Sequence, residues 1–166
     1  NIFGGGKGAN QALSAARAGA ATAMLGAVGA DDFGAARLAD LRADRIDVES
    51  VAVSDAVPSG VALITVETSG QNRIAYVPGA TMSATVDQAV SAFDRVQPDV
   101  VLSTLELPHQ ALAALFSRAR AARVPVVLNA TPEPADGRTL VPLADVLIVN
   151  ETEASELLAD GSGEWS

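Results

Sequence analysis

Gly4-Gly5-Gly6-Lys7-Gly8-Ala9-Asn10-Gln11 is a glycine-rich stretch that leads into an alanine-rich segment, Ala9 to Ala18. Its four glycines allow close backbone approach and positive φ angles. The alanine-rich segment predicts a helix, so the loop would lie at a helix N-terminus, which favours electronegative oxygen atoms. Lys7, Asn10 and Gln11 add hydrogen-bond donors. The stretch predicts a loop that binds a polyhydroxylated or anionic ligand, although a glycine turn that only caps the helix has the same pattern.

Two common nucleotide-binding motifs do not fit this loop. A Walker A loop needs Ser or Thr after its Gly-Lys pair, and Gly8 follows Lys7 here. A dinucleotide-binding fingerprint needs spaced glycines, a preceding strand and an acidic residue about 20 positions further on. Here the glycines are bunched and the corresponding later position falls in Gly26–Gly29. A nicotinamide-dependent oxidoreductase is therefore disfavoured.

The composition suits one ordinary domain and excludes several classes of function. Of the 166 residues, 49% are apolar but only 4% are aromatic, which predicts a core of Ala, Val and Leu. The net charge is −9 and the cations are scattered, so we expect no nucleic-acid partner. No apolar run reaches the ~18 residues of a membrane span, and no signal peptide is visible, so we expect a cytoplasmic protein that does not bind membranes.

The sequence contains few residues that could bind a metal or form a catalytic Ser-His-Asp triad. The chain has no cysteine, which excludes disulfides and thiolate metal sites. His109 is the only histidine and directly follows Pro108, at the expected start of a helix. We therefore expect His109 to have a surface or capping role rather than to belong to a catalytic triad.

Strands and helices alternate along most of the chain. Ala20 to Val28 predicts a buried strand, and Asp31-Asp32 predict the cap of a helix that runs to about Arg45. Phe33, Ala36 and Leu41 should line its inner side. After residue 80 the predicted order is helix, strand, helix, strand, strand, helix, over Val86 to Val96, Asp99 to Ser103, Pro108 to about Arg123, Val124 to Asn129, Asp145 to Val149 and Glu151 to Ala159.

A β-rich insert of about residues 46–80 interrupts this alternation. Val51 to Val53, Gly60 to Thr68 and Arg73 to Val77 are rich in β-formers, and Ser69-Gly70-Gln71-Asn72 is a suitable hairpin loop. We expect a small antiparallel sheet here. The alternation elsewhere predicts a parallel sheet that is covered by helices on both faces.

Three polar side chains follow predicted strands and should meet at one edge of the parallel sheet. Glu106, Asn129 and Asn150 each come at or just after a strand's carboxyl end, where ligands of such sheets bind. Taken singly, each of them suits a turn or helix cap better than a binding role. Their convergence favours a binding site.

The motifs together resemble the ribokinase-type members of the pfkB carbohydrate kinase family. The similarity covers most of the chain in the right order, and the pairing of the glycine loop with a later Asn-x-x-Glu motif is specific. The matching elements are Gly5 to Gln11, Val28 to Gly34, Ser59 to Ala62, Pro78 to Thr81, Leu105-Glu106 and Asn150 to Ala154. Thr81 replaces an Asn of the family. The resemblance implies a ribokinase-like three-layer α/β/α sandwich, with a mostly parallel sheet and the insert as a small β lid.

The resemblance also implies site residues. Gly6, Lys7, Gly8, Ala9 and Asn10 would line a sugar site, and Glu106 would accept a hydrogen bond from a sugar hydroxyl. Asn150 would lie near the phosphates of ATP, and Glu153 would orient Mg²⁺ through water, as that ion keeps several waters. Judged without the resemblance, Glu153 is an exposed helix residue in an acidic run. K⁺ in the intact enzyme is a further implication.

Two parts of the family pattern are missing from this sequence. The family's catalytic Asp lies in a Gly-Ala-Gly-Asp motif of its C-terminal part, and no such motif occurs here. The first strand of the family is missing too. We therefore expect residues 1–166 to be a partial kinase domain, a fragment that contains no catalytic base and is nearly inactive by itself.

Several functions remain open at this point. The leading hypothesis is phosphorylation of D-ribose to ribose 5-phosphate by Mg-ATP in the intact enzyme. Alternatives are a sibling kinase for fructose, another sugar or a nucleoside, and a non-catalytic sugar- or nucleotide-binding module. Open strands of the β lid would favour a homodimer through that lid.

Overall fold

A computed structural model describes residues 3–66 and 72–158 of the chain. These residues form two compact units, which divide between Ala84 and Thr85. Within the described ranges the α-helices are α1 (Lys7–Arg17), α2 (Asp32–Ala43), α3 (Val86–Val96), α4 (His109–Ala121) and α5 (Glu151–Leu158). The strands are β1 (Gly26–Gly29), β2 (Val51–Ser54), β3 (Val61–Val66), β4 (Asn72–Val77), β5 (Val101–Ser103), β6 (Val126–Asn129) and β7 (Val146–Ile148).

The first unit contains a β1-α2-β2 crossover. Strands β1 and β2 pair in parallel, from Gly26 opposite Val51 to Gly29 opposite Ser54. The predicted strand over Ala20 to Val28 is wrong in its first part, where Ala23 makes only a single parallel bridge with Asp47. Alanine is a weak strand former, and this segment is rich in it. The prediction that Val51 to Val53 belong to the antiparallel insert is also wrong, because β2 extends the parallel pair.

Helices α1 and α2 pack through small and branched apolar side chains. Asp31 is the N-cap of α2, as predicted, and Leu41 is buried. Phe33 and Ala36, however, are exposed, so their predicted place on the inner side is wrong. The true inner side follows Gly34, Leu38 and Leu41, since residues three or four apart share a helix face. The buried cluster comprises Ala9, Ala12, Leu38, Leu41, Ile46 and Val48.

Strands β3 and β4 form an antiparallel ribbon, paired from Val61 opposite Val77 to Val66 opposite Asn72. This confirms the antiparallel part of the predicted insert. Most of the predicted hairpin loop, Ser69-Gly70-Gln71, lies outside the described residues. The described side chains of both strands are exposed, although many are apolar. They include Leu63, Ile64, Val66, Ile74, Tyr76 and Val77.

The carboxylate of Asp31 joins the root of this ribbon to β1 and α2. Its Oδ1 accepts hydrogen bonds from the Gly34 N–H at 2.8 Å and from the Ser59 hydroxyl at 2.7 Å. Its Oδ2 accepts from the Ser59 N–H at 2.7 Å. The Ser59 hydroxyl in turn accepts from the Gly29 N–H at 2.9 Å, inside the protein. At the other root of the ribbon, the Ala80 N–H donates to the Pro58 carbonyl at 2.8 Å.

The second unit packs helices α3 and α4 beside a parallel sheet of order β5-β6-β7. Helix α3 has its predicted bounds, Val86–Val96, and the Thr85 hydroxyl caps it by accepting from the Gln88 N–H at 3.1 Å. Buried residues alternate with exposed ones in β5 and with half-buried ones in β6, whereas all three residues of β7 are exposed. The largest fully buried side chains are Leu112, Phe116, Val126, Leu128 and Leu140, and the exposed apolar ones include Leu102, Val146 and Ile148.

Replacement of Asp31 by Asn should give a pH-dependent loss of stability. Hydrogen bonds from the Ser59 hydroxyl, the Ser59 N–H and the Gly34 N–H hold the pKa of Asp31 below its ordinary value. The stabilisation is therefore fully present above the ordinary Asp pKa and is lost as the pH falls through the lower native pKa. We expect D31N to melt below the wild type at about pH 7 and the gap to narrow below about pH 4.

Thermal unfolding followed by circular dichroism across this pH range measures the effect. D32N is the matched control, because Asp32 lies next in sequence in the first turn of α2 and outside the Asp31–Ser59 network. A D31N deficit that stays constant with pH would contradict the assigned role of the Asp31 charge.

Candidate functional site

The glycine-rich loop ends in the backbone geometry that the sequence predicts for a ligand-binding turn. Gly6 is the N-cap of α1 with φ 97° and ψ 133°, a conformation that residues with a side chain rarely adopt. The Asn10 N–H donates to the Gly6 carbonyl at 2.9 Å and closes the first turn. The helix thus begins at Lys7, two residues before the predicted start.

Among the described residues, no side chain caps the N-terminus of α1, and the first turn of this helix contains no acidic residue. The positive end of the helix dipole therefore lies at the loop. Lys7 and Asn10 are exposed on this turn, while Ala9 is buried in the α1–α2 cluster. Of the five predicted sugar-lining residues, Ala9 could accordingly contribute only backbone atoms. The arrangement favours a ligand rich in oxygen atoms.

The second unit brings its polar candidates to one edge of its sheet. Strands β5, β6 and β7 are parallel, so their carboxyl ends lie on the same side. Glu106 follows β5, Asn129 ends β6 and Asn150 follows β7. Glu106 is half-buried, and its N–H lies 3.4 Å from the hydroxyl of the buried Thr104. This confirms the predicted convergence of the three residues on one sheet edge.

Asn150 and Glu153 cap helix α5 reciprocally. The Asn150 Oδ1 accepts from the Glu153 N–H at 2.9 Å, and the Glu153 Oε2 accepts from the Asn150 N–H at 2.8 Å. This is a capping box with Asn in the place of Ser or Thr. The cap alternative raised for Asn150 is therefore real, and Glu153 is more than an exposed helix residue. The reciprocal bonds fix both side chains at the same sheet edge as Glu106.

The donor set suits a magnesium ion that is held mainly by other ligands. Among the described residues, no group of three or more His, Cys, Asp and Glu side chains could hold a metal ion. Glu153 uses one oxygen in the cap, and a carboxylate has further acceptor capacity. Mg²⁺ typically takes one or two carboxylates and retains several waters. Glu153 therefore fits a water-mediated contact, and the described residues offer no full protein cage.

The candidate residues fall into two sets, one in each unit. Gly6 to Asn10 lie together on the first turn of α1, and Glu106, Asn150 and Glu153 lie along the sheet edge of the second unit. His109 is the first residue of α4 and is half-buried, which agrees with its expected role at a helix start. The Asp31–Ser59 network was not predicted. Asp31 carried a local cap signal, but its partner lies 28 residues away, so no sequence spacing revealed it.

Comparison with known proteins identifies the class. The model of the pfkB family of carbohydrate kinases matches residues 2–162. The ribokinase of Staphylococcus aureus (strain COL) is 39% identical over 158 residues, which are 95% of this chain and 52% of that protein. The ribokinase of Bacillus subtilis (strain 168) is 34% identical over 94% of this chain and 53% of its own length. The chain belongs to the pfkB carbohydrate kinase family.

A solved structure supports the same fold. The ribokinase of Arabidopsis thaliana, complexed with ribose and ATP, matches with a TM-score of 0.78 and 28% identity, over 93% of this chain and 51% of that one. The predicted ribokinase-like α/β class is thereby confirmed. The chain spans about half the length of the relatives it matches. In the described part of the chain, no helix is both long and apolar enough to cross a membrane.

Truncation of the α5 cap should destabilise the protein measurably. Asn150→Ala removes the acceptor for the Glu153 N–H, and loss of such an N-cap costs about 1 kcal/mol. Glu153→Gln should cost less, because its amide oxygen can still accept from the Asn150 N–H. Urea unfolding measures both values. Thr152→Ala is the control on the same turn, and an N150A effect no larger than that of T152A would contradict the capping role.

Proposed function

We propose that this chain is the sugar-binding and magnesium-orienting part of an ATP-dependent sugar kinase, with D-ribose as substrate and ribose 5-phosphate as product. The observation that carries the proposal is the positive-φ glycine turn at the start of α1, with Lys7 and Asn10 exposed on it. Such a turn suits the hydroxyl oxygens of a sugar. Membership of the carbohydrate kinase family and the ribokinase names of the relatives support this substrate class.

On the sugar side, we assign Gly6, Lys7, Gly8, Ala9 and Asn10 to the loop that holds the substrate. Glycines let the backbone approach the ligand closely, and the Lys7 and Asn10 side chains can donate hydrogen bonds to hydroxyl groups. Glu106 would accept from another hydroxyl, because an ionised carboxylate is an acceptor only.

On the nucleotide side, we assign Asn150 to the neighbourhood of the ATP phosphates and Glu153 to Mg²⁺ through water. An amide adds no repulsion beside a triphosphate, and phosphoryl transfer depends mainly on positioning and charge neutralisation. Bound Mg²⁺ would supply that neutralisation. The cap bonds hold both side chains in place at the start of α5. K⁺ dependence and a cytoplasmic site of action, where ATP is plentiful, belong to the same proposal.

D-ribose should stimulate Mg-dependent ADP release by the full-length product of the gene that encodes this chain. Fructose and adenosine are the comparators, since sibling kinases act on such substrates. Glu106→Gln should raise the KM for ribose by roughly 10- to 100-fold, because a hydrogen bond to a charged group contributes about 1.5–3 kcal/mol. Residues 1–166 alone should release almost no ADP.

Glu156→Gln makes the same chemical change on the exposed side of α5 and is the control for E106Q. If only fructose or adenosine stimulated ADP release, the proposed substrate would be wrong and the protein would be a sibling kinase for that substrate. Binding without turnover of any of the three would favour a non-catalytic module. Vigorous activity of residues 1–166 would refute the assignment of this chain as a part without the catalytic base.

We also propose that the β3–β4 ribbon acts as the lid of the sugar site and forms a homodimer. Cross-strand neighbours on one face are Ile64 opposite Ile74 and Ala62 opposite Tyr76. Ile64 is 60% exposed and Ile74 is 62% exposed. A two-stranded ribbon is at best marginally stable alone, and an exposed apolar face favours association. A second ribbon would cover this face.

Ile64→Lys should therefore shift the full-length protein from dimer to monomer, because it places a charge in the proposed apolar interface. Thr65→Lys is the control, as alternate residues of a strand point to opposite faces. Sedimentation velocity at several protein concentrations measures the oligomeric state. A monomeric wild type, or an I64K dimer as stable as the wild-type dimer, would contradict the proposed interface.

A further inference from the structure

The beginning of the glycine-rich loop lies directly on an ion pair of helix α2. The Arg37 Nη2 donates to the Asp40 Oδ2 at 3.0 Å. A Cβ placed on Gly4 would overlap the Arg37 Nη1 and would lie 2.9 Å from the Arg37 Cζ and 3.0 Å from the Asp40 Oδ2. Gly4 therefore has no room for a side chain unless the guanidinium group moves.

Arg37 is packed in this place rather than solvated. Its side chain is only 15% exposed, whereas that of Asp40 is 58% exposed. The Arg37 Nε is buried without a hydrogen-bond partner in the described part of the protein. A buried donor without an acceptor costs free energy, so the guanidinium position is determined by packing and by Asp40 rather than by full hydrogen bonding.

The loop is thus constrained at Gly4 and at Gly6, whereas Gly5 between them has space around it. Gly4 lies against the guanidinium group, and Gly6 turns the chain into α1 with its positive φ. No atom of the described residues would lie within 4 Å of a Cβ on Gly5. Lys7 directly follows Gly6, and the Asn10 N–H donates to the Gly6 carbonyl. A displacement of Gly4 would therefore be transmitted through Gly5 and Gly6 to the first turn of α1.

We propose that Arg37 is a positioning residue, which fixes the backbone position of the sugar-binding loop through its contact with Gly4. The inference rests on the proposed function for its consequence, which is sugar affinity, but its first step concerns the loop alone. Arg37 contacts no substrate in this assignment. Its guanidinium group packs against the Gly4 backbone. A planar, rigid guanidinium group holds the backbone in one position better than the flexible ammonium group of lysine.

Amide hydrogen exchange of the full-length protein without ligand tests the first step. Gly4→Ala and Arg37→Ala should both accelerate exchange at the Asn10 amide, which donates to the Gly6 carbonyl, whereas Gly5→Ala should leave it unchanged. Arg37→Lys should restore protection only in part. Gly4→Ala should have less effect in the R37A background, because the group that opposes the new methyl group is then absent. If R37A does not fold, the comparison of G4A with G5A still tests whether the contact at Gly4 restrains the loop.

Kinetics with D-ribose test the consequence. G4A and R37A should raise the KM for ribose on the order of tenfold, with smaller changes in kcat and in the KM for ATP, because a small misplacement of a binding group is costly. Exchange in G4A equal to that in G5A would overturn the proposal, as would a G4A effect undiminished by R37A. If G4A and R37A changed amide exchange but left the KM for ribose unchanged, that result would also overturn the proposal. A wild type that phosphorylates no sugar would instead refute the proposed function, while the exchange data still judge the role of Arg37.

Discussion

The first unit depends on the carboxylate of Asp31. This group caps α2 through the Gly34 N–H and receives both donors of Ser59, at the root of the antiparallel ribbon. The Ser59 hydroxyl also accepts a hydrogen bond from the Gly29 N–H at the end of β1. A strand, a helix and a ribbon therefore meet at one charged group. Hydrogen bonds to a charged acceptor are stronger than neutral ones, which makes a single carboxylate sufficient for this junction.

Helix α2 carries three other constraints along its length. Leu38 and Leu41 bury its inner side against α1, Arg37 supports the glycine loop, and Asp44 at its C-terminal end accepts two hydrogen bonds from Arg17 at the end of α1. The Arg17 pair lowers the pKa of Asp44, but Arg17 is largely exposed. Exposed ion pairs contribute little to stability. Apolar burial therefore holds the two helices together, while the polar contacts fix their register.

Local signals in the sequence were sufficient for much of the fold. The sequence pattern of Val86–Val96 predicted both ends of α3. The glycine turn and the sheet edge with Glu106, Asn129 and Asn150 followed from the order and spacing of the motifs. Errors arose where distant residues decide the outcome. Strand β2 pairs with β1 because the chain returns through α2, and Phe33 is exposed because Leu38 and Leu41 determine the packed side. The Asp31–Ser59 and Gly4–Arg37 contacts join residues 28 and 33 positions apart, and such contacts leave no local pattern.

The capping role of Asn150 and Glu153 strengthens their proposed role toward the nucleotide. A long Glu side chain that is free in solvent loses rotamer entropy when it orders around an ion. The hydrogen bond from the Asn150 N–H has already restrained Glu153. The cap also leaves carboxylate acceptor capacity unused, so Glu153 can both cap the start of the helix and accept a hydrogen bond from a metal-bound water. Pre-organisation of this kind makes the structural role of the Asn-x-x-Glu motif compatible with its proposed role at the nucleotide and Mg²⁺, because the same two bonds serve both.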